Sequence, residues 1–160
     1  MDRNHIQPMR LSIFLIDFRQ SHKFATYILE KRLHDKQSEL SKLVHQAFDT
    51  SLIVSYSRPF KLSKELLGQG RSSLKHYVDE VLNEDEAKLH KKVIDKRDTA
   101  HGHSDASSHL IEGFNYSGKN IKLMKYAFMP LNRSETEKLK TMIKKWIAHL
   151  KKEESKLKEV

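Results

Sequence analysis

The chain has no cysteine and, among its 160 residues, only three prolines and five glycines. Without thiols there can be no disulfide, thiolate zinc site or cysteine nucleophile, so stability must come from packing or from a partner chain, and a reducing cytoplasm is the expected location. With so few helix breakers and with Lys, Leu and Glu abundant, long helices are favoured over a sheet with many turns. Long apolar runs are also missing: the stretch from Leu11 to Phe18 is interrupted by Asp17. It is far shorter than the roughly 20 residues that cross a bilayer, so no membrane span and no signal peptide are expected. A glycine-rich phosphate loop, a Gly-x-Ser-x-Gly elbow and a His-Glu-x-x-His zinc sequence are all absent, and no cofactor is expected.

What the chain does have is positive charge. The formal net charge is +9, and a basic surface attracts polyanions through counterion release, independently of their sequence. Part of this excess lies between Lys138 and Val160, where eight lysines face three glutamates, a composition that reads as a solvated helix face. The length and the 38% hydrophobic content suffice for one core, so residues 1–160 are expected to form a single domain.

Apolar residues recur with helical spacing. A first helix is expected from Pro8 to His34, with Leu11, Phe14, Leu15, Phe18, Tyr27, Ile28 and Leu33 as its apolar positions. A second, from Ser38 to Tyr56, carries Leu40, Leu43, Val44, Ala47, Phe48, Leu52 and Ile53, and should pack antiparallel to the first. Pro59 disfavours helix at Arg58, and the stretch from Lys61 to Ser73 reads as a loop. Leu74 to Leu82 reads as a short helix. Asn83 with Glu86 has the form of a capping box opening a third main helix, and Ser134 with Glu137 that of another opening the last. Between them, Ala106 to Met129 reads as an irregular link or a small hairpin. The expected fold is therefore all-α, an up-and-down four-helix bundle with an insert before its last helix.

The third main helix runs into Arg97-Asp98-Thr99-Ala100-His101-Gly102-His103-Ser104-Asp105. Five residues separate Arg97 from His103, and Gly102 should end or bend the helix so that the two side chains converge. Cleavage of RNA by its own 2′-hydroxyl needs a base for the 2′ proton, an acid for the 5′ oxygen and cationic donors for the phosphorane. Histidine can serve either proton transfer, and arginine offers a permanently charged fork to phosphate oxygens. Plainer roles fit the same residues: Arg97 and Asp98 as a surface ion pair, His103 capping the last carbonyls. A rival chemistry is metal binding by His101, His103, Asp105 and His109.

This segment resembles the Arg-x(4–6)-His motif of the HEPN superfamily, all-helical domains that are often dimeric ribonucleases, toxins or binding modules derived from them. Ser55 to Phe60, Ser-Tyr-Ser-Arg-Pro-Phe, also looks like a segment that follows the second helix in some bacterial members. The resemblance implies a metal-independent endoribonuclease. Arg97 would hold the scissile phosphate, His103 would transfer the proton and Asp98 would orient one of them, while His101, Ser104 and Arg58 would contact substrate. One motif supplies too few groups, so the site would be composite across a homodimer, through the face of the third helix, with RNA as substrate. A toxin–antitoxin or phage-defence setting, with an antitoxin or other protein partner, is implied by the resemblance alone. In members modified by a nucleotidyltransferase antitoxin a tyrosine follows the motif histidine by two residues. Here Asp105 stands there, which argues against that regulation. The alternatives are a non-catalytic binding or structural module of the same fold and a basic nucleic-acid-binding regulator.

Overall fold

The computed structural model describes residues 8–61, 73–98, 109–116, 119–126 and 129–158. Helices α1 (Pro8–Glu30), α2 (Glu39–Ser57), α3 (Val78–Val81), α4 (Glu84–Lys96) and α5 (Arg133–Lys158) form a helical bundle, and strands β1 (His109–Tyr116) and β2 (Lys119–Tyr126) lie between α4 and α5 in the chain. Among the described residues no helix is long and apolar enough to cross a membrane.

Helix ends follow local chemistry. α1 stops at Glu30, four residues before the expected His34, because Arg32 takes a left-handed conformation (φ 49°), and Leu33 then sits in a 3-10 turn, buried. The Ser38 hydroxyl caps α2 by accepting the Ser41 N–H at 3.2 Å. α2 ends at Ser57, and Arg58–Phe60 continues as a 3-10 turn around Pro59, since proline has no N–H for another helical bond. Leu74 to Leu82 is less regular than expected: a 3-10 turn, Leu74–Tyr77, precedes the single turn of α3. The capping box of α4 is present, with the Glu86 N–H donating to Asn83 Oδ1 at 2.9 Å and the Asn83 N–H to Glu86 Oε2 at 3.0 Å.

The box of α5 lies two residues earlier than the spacing of Ser134 and Glu137 predicts. The Glu135 N–H donates to Asn132 Oδ1 at 2.9 Å and the Asn132 N–H to Glu135 Oε2 at 3.1 Å. Asparagine caps as well as serine, and the preceding Leu131 is buried and held by its backbone, which fixes where the chain turns into the helix. The Leu131 N–H donates to Asp49 Oδ1 at 3.2 Å, and His34 Nε2 donates to the Leu131 carbonyl at 3.1 Å.

Contacts run from α1 to α2, α2 to α4, α4 to α5 and α5 back to α1. The paired residues run in opposite order along each of these neighbours: Asp17 with Arg58 and Tyr27 with Phe48, Tyr56 with His90 and Asp49 with Lys96, Glu86 with Lys145 and Lys92 with Glu135, Phe18 with Trp146 and Asp35 with Arg133. The insert is the hairpin alternative: β1 and β2 pair antiparallel from His109↔Tyr126 to Tyr116↔Lys119.

Four main helices share one buried cluster, mostly aliphatic, with a group of rings in contact within it. Phe18 of α1 lies stacked on Trp146 of α5 at 5.8 Å and edge-on to Tyr56 and Phe60, both at 5.9 Å. Phe60 meets Trp146 at 5.1 Å and His90 of α4 at 4.4 Å. Edge-to-face and offset pairs add a favourable quadrupole term to area burial. Leu40 and Leu43, expected among the apolar contacts of α2, are instead 72% and 62% exposed. The buried side of that helix includes His45, Asp49, Leu52, Ile53 and Tyr56, so a polar pair is turned inward while the two leucines face outward. Truncating the central ring, Phe18→Ala, should cost about 3 to 5 kcal/mol. Urea denaturation checks this, and a loss within the scatter of surface substitutions would show that the ring cluster does not organise the core.

Candidate anion site at the ends of α2 and α4

The segment that follows α2 meets the end of α4. At the end of α4 the backbone widens into a π-turn at Arg97 and Asp98, a departure that often marks functional positions in helices. At the end of α2, the buried Pro59 and Phe60 anchor the 3-10 turn, and the next residue, Lys61, donates its N–H to the Arg58 carbonyl at 3.1 Å. The two ends meet through Asp98. Arg97 Nη1 donates to Asp98 Oδ1 at 2.9 Å, and Lys61 Nζ donates to Asp98 Oδ2. One carboxylate thus carries two cations, one on each oxygen, and all three side chains are about one-third exposed. Burial alone would raise the Asp98 pKa; the hydrogen bonds and charges of Lys61 and Arg97 outweigh it and hold the carboxyl below its ordinary value.

His90 lies seven residues before Arg97 on α4, two turns away and on nearly the same face. Its Nδ1 is hydrogen-bonded to the hydroxyl of buried Tyr56 at 2.9 Å, and its ring meets Phe60. Burial depresses the His90 pKa to about 4, so the ring is neutral at pH 7. Arg58 turns towards α1, where its Nη1 donates to Asp17 Oδ1 at 3.2 Å. Burial raises the Asp17 pKa more than this arginine lowers it.

Of the residues singled out from the sequence, the structure brings Arg97 and Asp98 together and places Arg58 in an ion pair with Asp17. His101, His103, Ser104 and Asp105 lie outside the described residues, and so does the side chain of His109. Lys61, His90, Tyr56 and Asp17 were missed. Lys61 stood in an expected loop with no motif, but the seven-residue spacing from His90 to Arg97 on one helix was a usable signal. The Ser55–Phe60 segment gains a packing explanation, since all of it except Arg58 is buried.

A second polar cluster holds the entry to α5. Beside the two bonds to Leu131, the His34 ring meets that of His45 edge-on at 4.7 Å, and Lys96 Nζ donates to the Met129 carbonyl. Burial lowers His45 to about 4 and raises Asp49 to about 6. Among the described residues no group of three acidic or histidine side chains is arranged to hold a metal. A shallow groove of about 290 Å³ between α4 and α5 is lined by Lys88, Lys92, Ser134 and Lys138, but Lys88 pairs with Glu84 at 2.9 Å and Lys92 with Glu135 at 2.5 Å, so much of its charge is already matched.

Comparison with family models, with characterised proteins and with solved structures finds no match to this chain.

The buried histidines set a pH dependence. Between pH 6.5 and about 4 the unfolded chain protonates His45 and His90 while the folded one resists, so their contribution is full above 6.5 and is lost as pH falls towards 4. Asp49 acts oppositely: its folded pKa of about 6 against 3.8 makes the folded state gain as pH falls through that window. Two displacements outweigh one, so the melting temperature should fall between pH 6.5 and 4.5, and His90→Gln should make that fall shallower. Circular dichroism melts across this range check it; a melting temperature that holds or rises on acidification would contradict it.

Proposed function

We propose that the protein is an RNA-binding, metal-independent endoribonuclease of HEPN type, acting as a homodimer. The observation that supports this reading most is the placement of Arg97: its guanidinium lies on the last turn of α4, partly exposed, beside a second cation and oriented by a carboxylate, immediately ahead of the segment carrying His103. In the proposed reaction the 2′-hydroxyl oxygen bonds to phosphorus and the bond to the 5′ oxygen breaks. One histidine accepts the 2′ proton, and the histidine of the second protomer donates a proton to the leaving oxygen. Arg97 neutralises charge on the phosphorane, a task for which its fork suits two oxygens at once. Before substrate binds, Asp98 holds that fork in place through the 2.9 Å bond. A cytoplasmic setting and an antitoxin-like protein partner belong to the same proposal.

A non-catalytic binding module is the second reading, and Asp98 itself favours it, because the carboxylate occupies donors of Arg97 that a reacting phosphate would need.

Cleavage of single-stranded RNA should persist in excess EDTA and leave a 2′,3′-cyclic phosphate, since neither nucleophile nor cation is a metal species. Arg97→Ala and His103→Ala should each abolish turnover while leaving a folded dimer by light scattering. Cleavage by His103→Ala at the wild-type rate, or a monomer of 18.8 kDa as the only species at micromolar concentration, would leave the binding-module reading in its place.

A further inference from the structure

We infer that Lys61 and Arg97 form one binding site for a phosphodiester group, with Asp98 as the internal counterion that the phosphate displaces. The occupant rests on the RNA reading above; the site itself rests on geometry. Each cation holds a different oxygen of the same carboxylate, so the two donors are already spaced for a ligand that presents two oxygens on one central atom. The non-bridging oxygens of a phosphodiester have this arrangement, at a separation close to that of a carboxylate. Two cations against one carboxylate leave an excess of one positive charge at the corner, and about one-third exposure of each side chain leaves it open to an anion. Arg58, three residues before Lys61, is not a third arm, because its guanidinium is drawn to Asp17 on α1.

The backbone explains why Lys61 is held there. Phe60 is 1% exposed and packed between Trp146 and His90, its carbonyl accepts the Ser73 hydroxyl at 2.8 Å, and the Lys61 N–H closes the 3-10 turn on Arg58. The lysine stem therefore leaves a fixed point of the core, so holding its ammonium at the end of another helix costs side-chain entropy without further backbone ordering. Cations at the C-terminal end of α4 also complement its dipole, which is the purely structural role to be distinguished.

The test uses the full chain, a fluorescent single-stranded RNA oligonucleotide with 2′-O-methyl riboses, which lack the attacking hydroxyl, and inorganic phosphate as probes. Affinity for the RNA is measured by anisotropy from about 50 to about 300 mM salt, for wild type, Lys61→Gln, Lys61→Arg and the exposed control Lys151→Gln. One lost phosphate contact should lower the slope of log affinity against log salt by about 0.7. Lys61→Gln should show that loss with an affinity drop of about tenfold, and Lys61→Arg should restore both. Inorganic phosphate should raise the melting temperature of wild type and not that of Lys61→Gln. Should Lys61→Gln fail to fold, Lys61→Met, which keeps the aliphatic stem, replaces it. RNA binding with an unchanged slope in Lys61→Gln overturns this site and leaves the RNA reading standing. A phosphate effect that depends on Lys61, without RNA binding, keeps the site and removes the RNA reading. If neither probe distinguishes the variants, the Lys61–Asp98–Arg97 group is a structural ion pair.

Discussion

Every long helix of the bundle sends a ring to one point. Phe18 from α1, Tyr56 from the end of α2 with Phe60 just past it, His90 from α4 and Trp146 from α5 touch with centroids between 4.4 and 5.9 Å. Rings of this size fill space as rigid plates, so the contact fixes both the spacing of the helices and their rotation about their axes. The polar member, His90, is hydrogen-bonded through Nδ1 to the Tyr56 hydroxyl at 2.9 Å, a bond whose absence would leave polar groups unpaired beside the core.

The cation corner is a consequence of that contact. Phe60 fixes the backbone from which Lys61 departs, and His90 fixes the rotation of α4 that carries Arg97 towards it. Asp98 then does what neither cation could do alone, keeping two positive charges adjacent in a partly desolvated place. Ion pairs of this exposure contribute little to stability, so their value lies in arrangement, in the position they impose on a guanidinium. The second anchor, Asp49 and His34 on the two sides of the Leu131 peptide, fixes where the chain re-enters the bundle after the hairpin. Segment 99–130 is thus tied to the bundle at both ends, by Asp98 on one side and Leu131 on the other.

The helices were largely legible in the sequence because their signals are local. Pro59 marked the end of α2, and Asn83 with Glu86 the start of α4. The cap of α5 was misplaced because two overlapping box patterns compete there, and the choice between them is made by Asp49, 82 residues away from Leu131. Leu40 and Leu43 were misassigned for a similar reason, since hydrophobic spacing cannot foresee that His45 and Asp49 will be buried with partners of their own. For the site, the sequence showed Arg97 and Asp98 as neighbours. It did not show Lys61, because a contact across 37 residues depends on how the bundle brings the segment after α2 to the end of α4 and leaves no pattern in either segment.

The central claim is that Asp98 is shared by Lys61 and Arg97. Carbon-13 NMR titration of the Asp98 carboxyl, in wild type and in Lys61→Gln, measures this directly. The account predicts a carboxyl that titrates below the ordinary aspartate value and moves up when Lys61 loses its charge. A carboxyl that titrates at or above the ordinary value, and is indifferent to Lys61→Gln, would contradict it.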